Sequence, residues 1–476
     1  MTLLSLAAVE AASSASSGLT LLILTIVFAL IFTYTNGFHD TANAIATVIG
    51  TRVLTPRQAI ALAAVTNLVG SFFGLAVAKT ISSGIVDSGF MNQHALICAM
   101  IAAIFWNLIT WYWGLPSSSS HALIGSLIGA AMGVAAITAQ TTPLKSKDGQ
   151  EIGAWTAAVK YEEIKEKKVK SLIAAPPELV AALGDKMKIN GSHTVKLDGK
   201  DVQAVVFCDR VKMVKEETKT VKEGILHKVI YPMIFSPLIG FSAGLIVMGL
   251  LYALISNWRP VTVTRFFGKA QLASSAYMGF SHGMNDATKC MGIITLALVT
   301  GTKAGYFIGT PDWISHWLST PEGSSALTMG LGDRLISMLP NFLQLGYMPT
   351  PADVKSQGVP DWVVLTCALT MGAGTAAGGW KIIKTLGHQM VKLHPVHGFA
   401  AETTAATVLA VTGSLGMPVS TTHAITTSIM GVGCARRWNA LNLPVVIRIM
   451  LAWIFTLPVT ALIAYVLTRL FAPGAA

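Results

Sequence analysis

Two short stretches of the sequence each occur twice, in the same order, and they decide how the chain is organised. Residues 36–43 read NGFHDTAN and residues 282–289 read HGMNDATK; we call these the Asp blocks. Residues 114–123 read GLPSSSSHAL and residues 416–425 read GMPVSTTHAI; we call these the hydroxyl blocks. Each half of the chain therefore carries one Asp block followed by one hydroxyl block.

The composition around these blocks is that of a membrane protein. Of the 476 residues, 53% are hydrophobic and 12% are charged, whereas soluble domains carry about 25% charged residues. More than half of the charges, 30 of 57, lie between Lys145 and Lys228. A water-soluble globule is excluded, and the net charge of +11 reflects membrane topology rather than nucleic-acid binding.

Ten apolar stretches are long enough to cross the hydrocarbon core of a bilayer, which takes about 20 residues of helix. They are residues 19–35, 57–79, 93–113, 118–139, 229–256, 268–300, 361–380, 397–415, 419–435 and 443–471. The sequence thus predicts an all-α polytopic protein that crosses the cell membrane several times.

Four segments follow from these stretches. We predict a first membrane half (1–139), a polar insert (140–228), a linking transmembrane helix and loop (229–267) and a second membrane half (268–476). The insert could form a small soluble module. Within it, the Glu- and Lys-rich run at residues 161–168 predicts a helix and residues 201–207 predict a strand.

Basic residues flank the two Asp blocks in opposite ways. Arg52 and Arg57 follow the first block, whereas Arg259, Arg265 and Lys269 precede the second. If both clusters are cytoplasmic, the two halves form an inverted repeat. Inverted repeats with polar breaks at matching points are typical of secondary transporters, so we expect broken helices and hairpins at all four blocks.

The hydroxyl blocks predict an anion site. A new half-helix begins after each proline, and its free N–H groups and positive dipole end attract an anion. The hydroxyls that would converge on one oxyanion are those of Ser118, Ser119, Ser120, Ser420, Thr421 and Thr422. The alternative is that they only cap their helices or bond back to the preceding turn.

The Asp blocks place carboxylates inside apolar segments. Asp40 and Asp286 would each cost about 2.5–3.5 kcal/mol to insert into a bilayer unless they have a partner or a cation. Asn43 and Asn285 offer neutral oxygens beside them, although a purely structural role remains the alternative. Glu402 is a further intramembrane acid, for which a proton relay and a role in organising the second half-site are both open.

At these blocks the sequence resembles the inorganic phosphate transporter (PiT) family. The resemblance covers nearly all of the chain except the insert. It implies an inverted-repeat helical fold, a homodimer, and transport of inorganic phosphate with a coupling cation. Carried onto this chain, it implies that the six hydroxyls bind phosphate and that Asp40, Asn43, Asn285 and Asp286 lie on the cation side.

Two departures from the family pattern concern the coupling ion. His39 and Lys289 stand where the pattern has asparagine. Lys289 lies about one helical turn after Asp286 and can reach its carboxylate, while His39 brings an imidazole, a type of group that can exchange a proton, where the pattern has an amide that cannot. Both resemble the bacterial proton-coupled branch, which implies H⁺ coupling, no resident cofactor, and a divalent metal carried with phosphate as a neutral complex. The metal itself is not identified by the residues.

Three alternatives remain open at this point. A transporter of sulfate or another oxyanion would use the same hydroxyls, and a channel would use the same blocks without coupling. A membrane-embedded, metal-dependent hydrolase would instead use His39, Asp40, His282 and Asp286, although no HExxH motif or nucleophile elbow is present in the sequence.

Overall fold

The first membrane half is mostly helical along its predicted apolar stretches. The computed structural model describes residues 2–73, 76–83, 85–145, 151–161, 163–184, 191–197, 200–207, 210–307, 310–311, 318, 359–435 and 437–472. Its first helices are α1 (Thr2–Gly50), α2 (Pro56–Gly70), α3 (Ala76–Ser83), α4 (Gln93–Tyr112) and α5 (Ser119–Thr141). The stretch at 57–79 is divided between α2 and α3.

The insert contains a small antiparallel sheet. Its elements are α6 (Ala154–Ala158), β1 (Glu163–Ala174), α7 (Pro177–Leu183), β2 (Gly191–Leu197), β3 (Lys200–Phe207) and β4 (Arg210–Glu223). The strand order is β1-β4-β3-β2. A small apolar core joins α7 to the sheet through Leu179, Leu183, Ala204 and Val206.

One prediction for the insert is confirmed and one is wrong. The strand predicted at residues 201–207 is β3. The helix predicted at residues 161–168 is wrong, because residues from Glu163 onward form β1 and pair with β4, starting at Glu223. Glutamate and lysine favour helix only weakly, and pairing with a strand some 50 residues away overrides that preference.

A π-helical turn, Leu226–Ile230, precedes the linking helix and the second membrane half. The linking helix is α8 (Tyr231–Leu254), and the helices that follow it are α9 (Pro260–Lys303), α10 (Asp361–Ala377), α11 (Trp380–Lys384), α12 (Pro395–Ser414), α13 (Thr421–Cys434) and α14 (Leu443–Phe471). The segment at 301–360 lies mostly outside the described residues.

Within the described part of the chain, five segments are long and apolar enough to cross a membrane. They are Ser17–Gly50, Gln93–Tyr112, Ser119–Thr141, Leu226–Leu254 and Leu443–Phe471. A sixth is the pair Asp361–Ala377 and Trp380–Gln389, which bends by 60° at its break. The prediction of a multi-pass, all-α membrane protein is confirmed.

The predicted breaks occur at the hydroxyl blocks but not at the Asp blocks. α4 ends before one hydroxyl block and α5 begins inside it, and α12 and α13 do the same at the other. By contrast, α1 and α9 continue through residues 36–43 and 282–289, so the breaks predicted there are wrong. Glycine costs a helix about 1 kcal/mol without ending it. Gly37 instead lets α10 approach, since a Cβ there would lie 2.7 Å from the Met371 carbonyl oxygen.

The two halves interlock reciprocally. α1 packs against α10, while α9 packs against α2 and α3; α5 packs against α14, while α13 packs against α8. Small residues allow this close approach: Gly125, Gly129 and Gly133 face α14, and Gly240 and Gly244 face α13. α8 therefore lies against α13 as α14 lies against α5.

Candidate functional site

The two hydroxyl blocks form matching helix N-termini. Gly114 and Gly416 adopt positive φ angles of 66° and 67°, which reverse the chain after α4 and α12 at no steric cost. Ser118 Oγ then accepts a hydrogen bond from the His121 N–H at 3.1 Å, and Ser420 Oγ accepts from the His423 N–H at 3.2 Å. Both serines thus cap their helices and keep their own hydroxyl hydrogens to donate.

All six predicted hydroxyls are buried, with no more than 3% of any residue exposed. They lie at the N-termini of α5 and α13, where the first turn leaves backbone N–H groups without a helical partner. We call this pair of helix ends the cradle, comprising residues 118–120 and 420–422. The cradle suits an oxyanion, because the positive ends of two helix dipoles and the free N–H and hydroxyl donors all favour a negatively charged ligand.

The long helices α1 and α9 bring the Asp blocks to the cradle. Asp40 Oδ2 accepts from Ser119 Oγ at 2.5 Å, and Asp286 Oδ2 accepts from Thr421 Oγ1 at 3.2 Å. Positions 40 and 286 correspond in the two Asp blocks, as 119 and 421 do in the hydroxyl blocks. Each acid therefore reaches the cradle hydroxyl of its own half.

The third residue after each acid crosses to the opposite half. Asn43 Nδ2 donates to Thr422 Oγ1 at 2.9 Å and to Thr421 Oγ1 at 3.3 Å. The matching Lys289 donates to Ser120 Oγ and, at 2.5 Å, to Asp286 Oδ1. The two halves thus meet at the cradle through an amide on one side and an ammonium on the other.

Each acid also has its own histidine. His39 Nδ1 lies 2.7 Å from Asp40 Oδ1, and its Nε2 lies 3.1 Å from Thr110 Oγ1 on α4. His282 Nε2 lies 3.2 Å from Asp286 Oδ2, an ion-pair distance without hydrogen-bond geometry. His282 Nδ1 is 3.0 Å from Asn67 Oδ1 on α2.

The acids and His282 lie close enough together to share a metal ion. Asp40, His282 and Asp286 present ligand atoms that all lie within 4.8 Å of one another, and all three residues are buried. However, the Lys289 ammonium already lies against Asp286. A protein cation thus already accompanies one oxygen of this acid, Oδ1, while His282 lies beside the other, Oδ2.

Two further candidate residues, Asn285 and Glu402, lie apart from the cradle contacts. Asn285 Nδ2 donates to the backbone carbonyls of Ser281 at 2.9 Å and Leu409 at 3.0 Å, so its amide joins α9 to α12. Glu402 accepts hydrogen bonds from Thr47 Oγ1 at 2.5 Å, Gln271 Nε2 at 3.1 Å and Ser274 Oγ. This buried cluster begins one helical turn beyond Asn43 on α1.

Comparison with known proteins assigns the family. A model of the phosphate transporter family matches residues 36–176 and 204–464. A protein of Bacillus subtilis (strain 168) named "Probable low-affinity inorganic phosphate transporter" is 32% identical over 445 residues, covering 93% of this chain and 95% of its own. A protein of the same name from Rhizobium meliloti (strain 1021) is 32% identical over 450 residues, covering 93% and 94%.

This chain belongs to the phosphate transporter family. The predicted resemblance is thereby confirmed, and the protein is a membrane transporter rather than an enzyme, so the hydrolase alternative is wrong. A solved structure titled "The sodium-dependent phosphate transporter" has the same fold, with a TM-score of 0.56 at 20% identity, over 95% of this chain and 98% of the other.

The sequence missed several residues that contact the site of this phosphate transporter. The histidines are bonded by Asn67 and Thr110, and Glu402 is bonded by Thr47, Gln271 and Ser274. None of these five residues belongs to a repeated block. His282, four residues before Asp286, has a predicted role only in the hydrolase alternative. Its i,i+4 spacing from an intramembrane acid was the one local signal available.

Proposed function

We propose that this phosphate transporter is a secondary symporter that imports inorganic phosphate together with protons. The observation that carries the proposal is the Lys289 ammonium, which bonds Asp286 at 2.5 Å. Because this tethered cation already balances the charge of Asp286, it disfavours the binding of a sodium ion there. His39, against Asp40, adds a titratable group in the other half.

We propose that phosphate binds in the cradle. The hydroxyls assigned to it are those of Ser118, Ser119, Ser120, Ser420, Thr421 and Thr422, which line two helix N-termini that favour anions. Asp40 and Asp286 lie beside these hydroxyls. A carboxylate can accept a hydrogen bond from the protonated oxygen of phosphate, whereas sulfate at neutral pH carries no such proton, so this chemistry favours phosphate over sulfate.

The coupling residues are assigned from the same contacts. We assign to coupling the residues that contact the cradle or its acids, namely His39, Asp40, Asn43, Asp286 and Lys289. Asn285 supports α9 from behind this group through its backbone contacts.

We assign Glu402 to proton relay. Its partner Gln271 accepts from Thr51, which directly follows the last residue of α1 and precedes the basic residue Arg52. A proton moving between the cradle and that end of α1 would therefore pass the Glu402 cluster.

Uptake of radiolabelled phosphate into proteoliposomes tests the function. We expect an inward proton gradient to drive accumulation, a protonophore to abolish it, and excess sulfate to compete weakly. Accumulation driven by a Na⁺ gradient at symmetric pH, and indifferent to the protonophore, would refute proton coupling. Strong competition by sulfate would refute the phosphate preference.

A divalent metal is proposed as cargo rather than as a resident cofactor. The Lys289 contact with Asp286 argues against a permanent metal at the acids, and a metal that arrives bound to phosphate would enter as a neutral complex. Radiolabelled Mn²⁺ should then enter proteoliposomes only when phosphate is present. Phosphate uptake that is unchanged by a chelator on both sides would contradict this proposal.

The homodimer expected from the family resemblance is also a proposal. Light scattering of the protein in detergent, with the detergent mass subtracted, should give twice the 50.3 kDa chain mass.

A further inference from the structure

Lys289 has more contacts than it would need if it only took the place of a sodium ion beside Asp286. Its side chain is 2% exposed, and its ammonium has three partners: Asp286 Oδ1, Ser120 Oγ and, at 3.3 Å, the carbonyl oxygen of Val419. Ser120 lies in the first turn of α5, and Val419 directly precedes the cap of α13. The ammonium therefore lies between both helix ends of the cradle.

The negative charge at the cradle favours a buried cation such as Lys289. Two acids, Asp40 and Asp286, lie beside the hydroxyls, and an entering anion adds further negative charge in a medium of low dielectric. Among the lysine and arginine side chains whose burial the structure describes, only that of Lys289 is buried. The free N–H groups and hydroxyls of the cradle contribute partial charges, whereas Lys289 contributes a full one.

Asp286 does not depend on Lys289 alone. Thr421 Oγ1 lies 3.2 Å from Asp286 Oδ2, and His282 Nε2 lies at the same distance from that oxygen. The ammonium can thus turn away without leaving the carboxylate unaccompanied. A lysine suits such a move because its flexible stem carries three rotatable donors.

We propose that Lys289 binds phosphate directly, exchanging its ion pair with Asp286 for one with the bound anion. This rests on the proposed placement of phosphate in the cradle. Because the ammonium already bonds Ser120, it reaches an anion held by that hydroxyl while staying in its pocket. Asn43, at the matching position of the other half, offers only a neutral amide to Thr421 and Thr422, so the phosphate lies nearer to α5 than to α13.

A double-variant comparison separates this role from that of a mere partner for Asp286. Equilibrium binding of radiolabelled phosphate is measured on purified protein in detergent for the wild type, Asp286→Asn and Asp286→Asn combined with Lys289→Gln. The ligand role predicts that Asp286→Asn binds more tightly than wild type, because the ammonium no longer has a competing carboxylate. It also predicts that the double variant binds at least fivefold more weakly than Asp286→Asn.

The purely structural role predicts the opposite. If Lys289 only neutralises Asp286, removing both charges restores binding, and a difference between the double and single variants of less than fivefold overturns the proposal. Lys303→Gln removes the same charge from the exposed end of the same helix and should bind like wild type. Wild-type protein that binds no phosphate would instead refute the proposed function, so the two failures are distinguishable.

Discussion

The hydroxyls of the cradle can be tested one at a time, because each half supplies a matched control on the same helix. Ser119→Ala and Thr421→Val remove donors that face Asp40 and Asp286. Ser126→Ala on α5 and Thr427→Val on α13 remove buried hydroxyls that bond only their own helix backbone. We expect the first pair to weaken phosphate binding by about 1–3 kcal/mol each, and the second pair to leave radiolabelled uptake near the wild-type rate. Equal uptake by all four well-folded variants would remove the cradle from the binding site.

A second prediction at the scale of single residues concerns the acids Asp40 and Asp286. Asp40→Asn and Asp286→Asn should each abolish accumulation against a gradient, since an amide can neither take up a proton nor balance a cation. Counterflow exchange of labelled for unlabelled phosphate, which needs no net coupling, measures whether the binding step survives. Variants that still concentrate phosphate in proteoliposomes would show that both acids are structural.

How far the sequence predicts the site depends on whether a residue lies in a repeated block. Asp40, Lys289 and the six hydroxyls could be predicted because the same pattern occurs twice and because charge inside an apolar stretch is costly. Asn67 and Gln271 could not be predicted, because helix packing alone brings them to His282 and Glu402 from elsewhere in the chain. Local pattern identifies residues with unusual chemistry, whereas their distant polar partners depend on the fold.

At the scale of elements, the close contact between α5 and α14 predicts an effect on stability. A Cβ at Gly129 would collide with the Ala461 carbonyl oxygen, whereas a Cβ at Gly249 on α8 meets nothing within 4 Å. Gly129→Ala should therefore destabilise the protein by about 1–3 kcal/mol through overpacking. Gly249→Ala should be neutral or stabilising, since alanine is the better helix former. Thermal unfolding of both variants in the same detergent measures this, and equal melting temperatures would contradict the packing argument.

The elements also show where sequence patterns fail. The membrane helices could be predicted from hydropathy alone, because spanning a bilayer requires long apolar runs. The continuity of α1 and α9 through the Asp blocks could not, because Gly37 and Gly283 read as breaks but serve close packing against α10 and α2. In the insert, β1 was missed because its partner strand β4 lies far along the chain.

At the scale of the whole molecule, the coupling ion depends on both halves together. His39 bonds the acid of the first half, and Lys289 bonds the acid of the second half while reaching the hydroxyl helix of the first. Replacing both by asparagine removes the titratable imidazole and the tethered ammonium. It leaves two carboxylates with amide oxygens beside them, the hard oxygen ligands that alkali and alkaline-earth cations prefer.

We therefore expect the combined variant His39→Asn and Lys289→Asn to lose its response to a proton gradient and to gain one to sodium. Its phosphate binding should also become sodium-dependent, because a bound Na⁺ would have to supply the charge that Lys289 supplies in the wild type. Uptake into proteoliposomes, with the pH and Na⁺ gradients imposed separately, measures the first effect, and equilibrium binding with Na⁺ or choline measures the second. If the folded variant still takes up phosphate in response to a proton gradient and does not respond to sodium, His39 and Lys289 do not determine the coupling ion. The coupling ion would then be determined by groups that the combined variant shares with the wild type, of which the Glu402 cluster is the first to test.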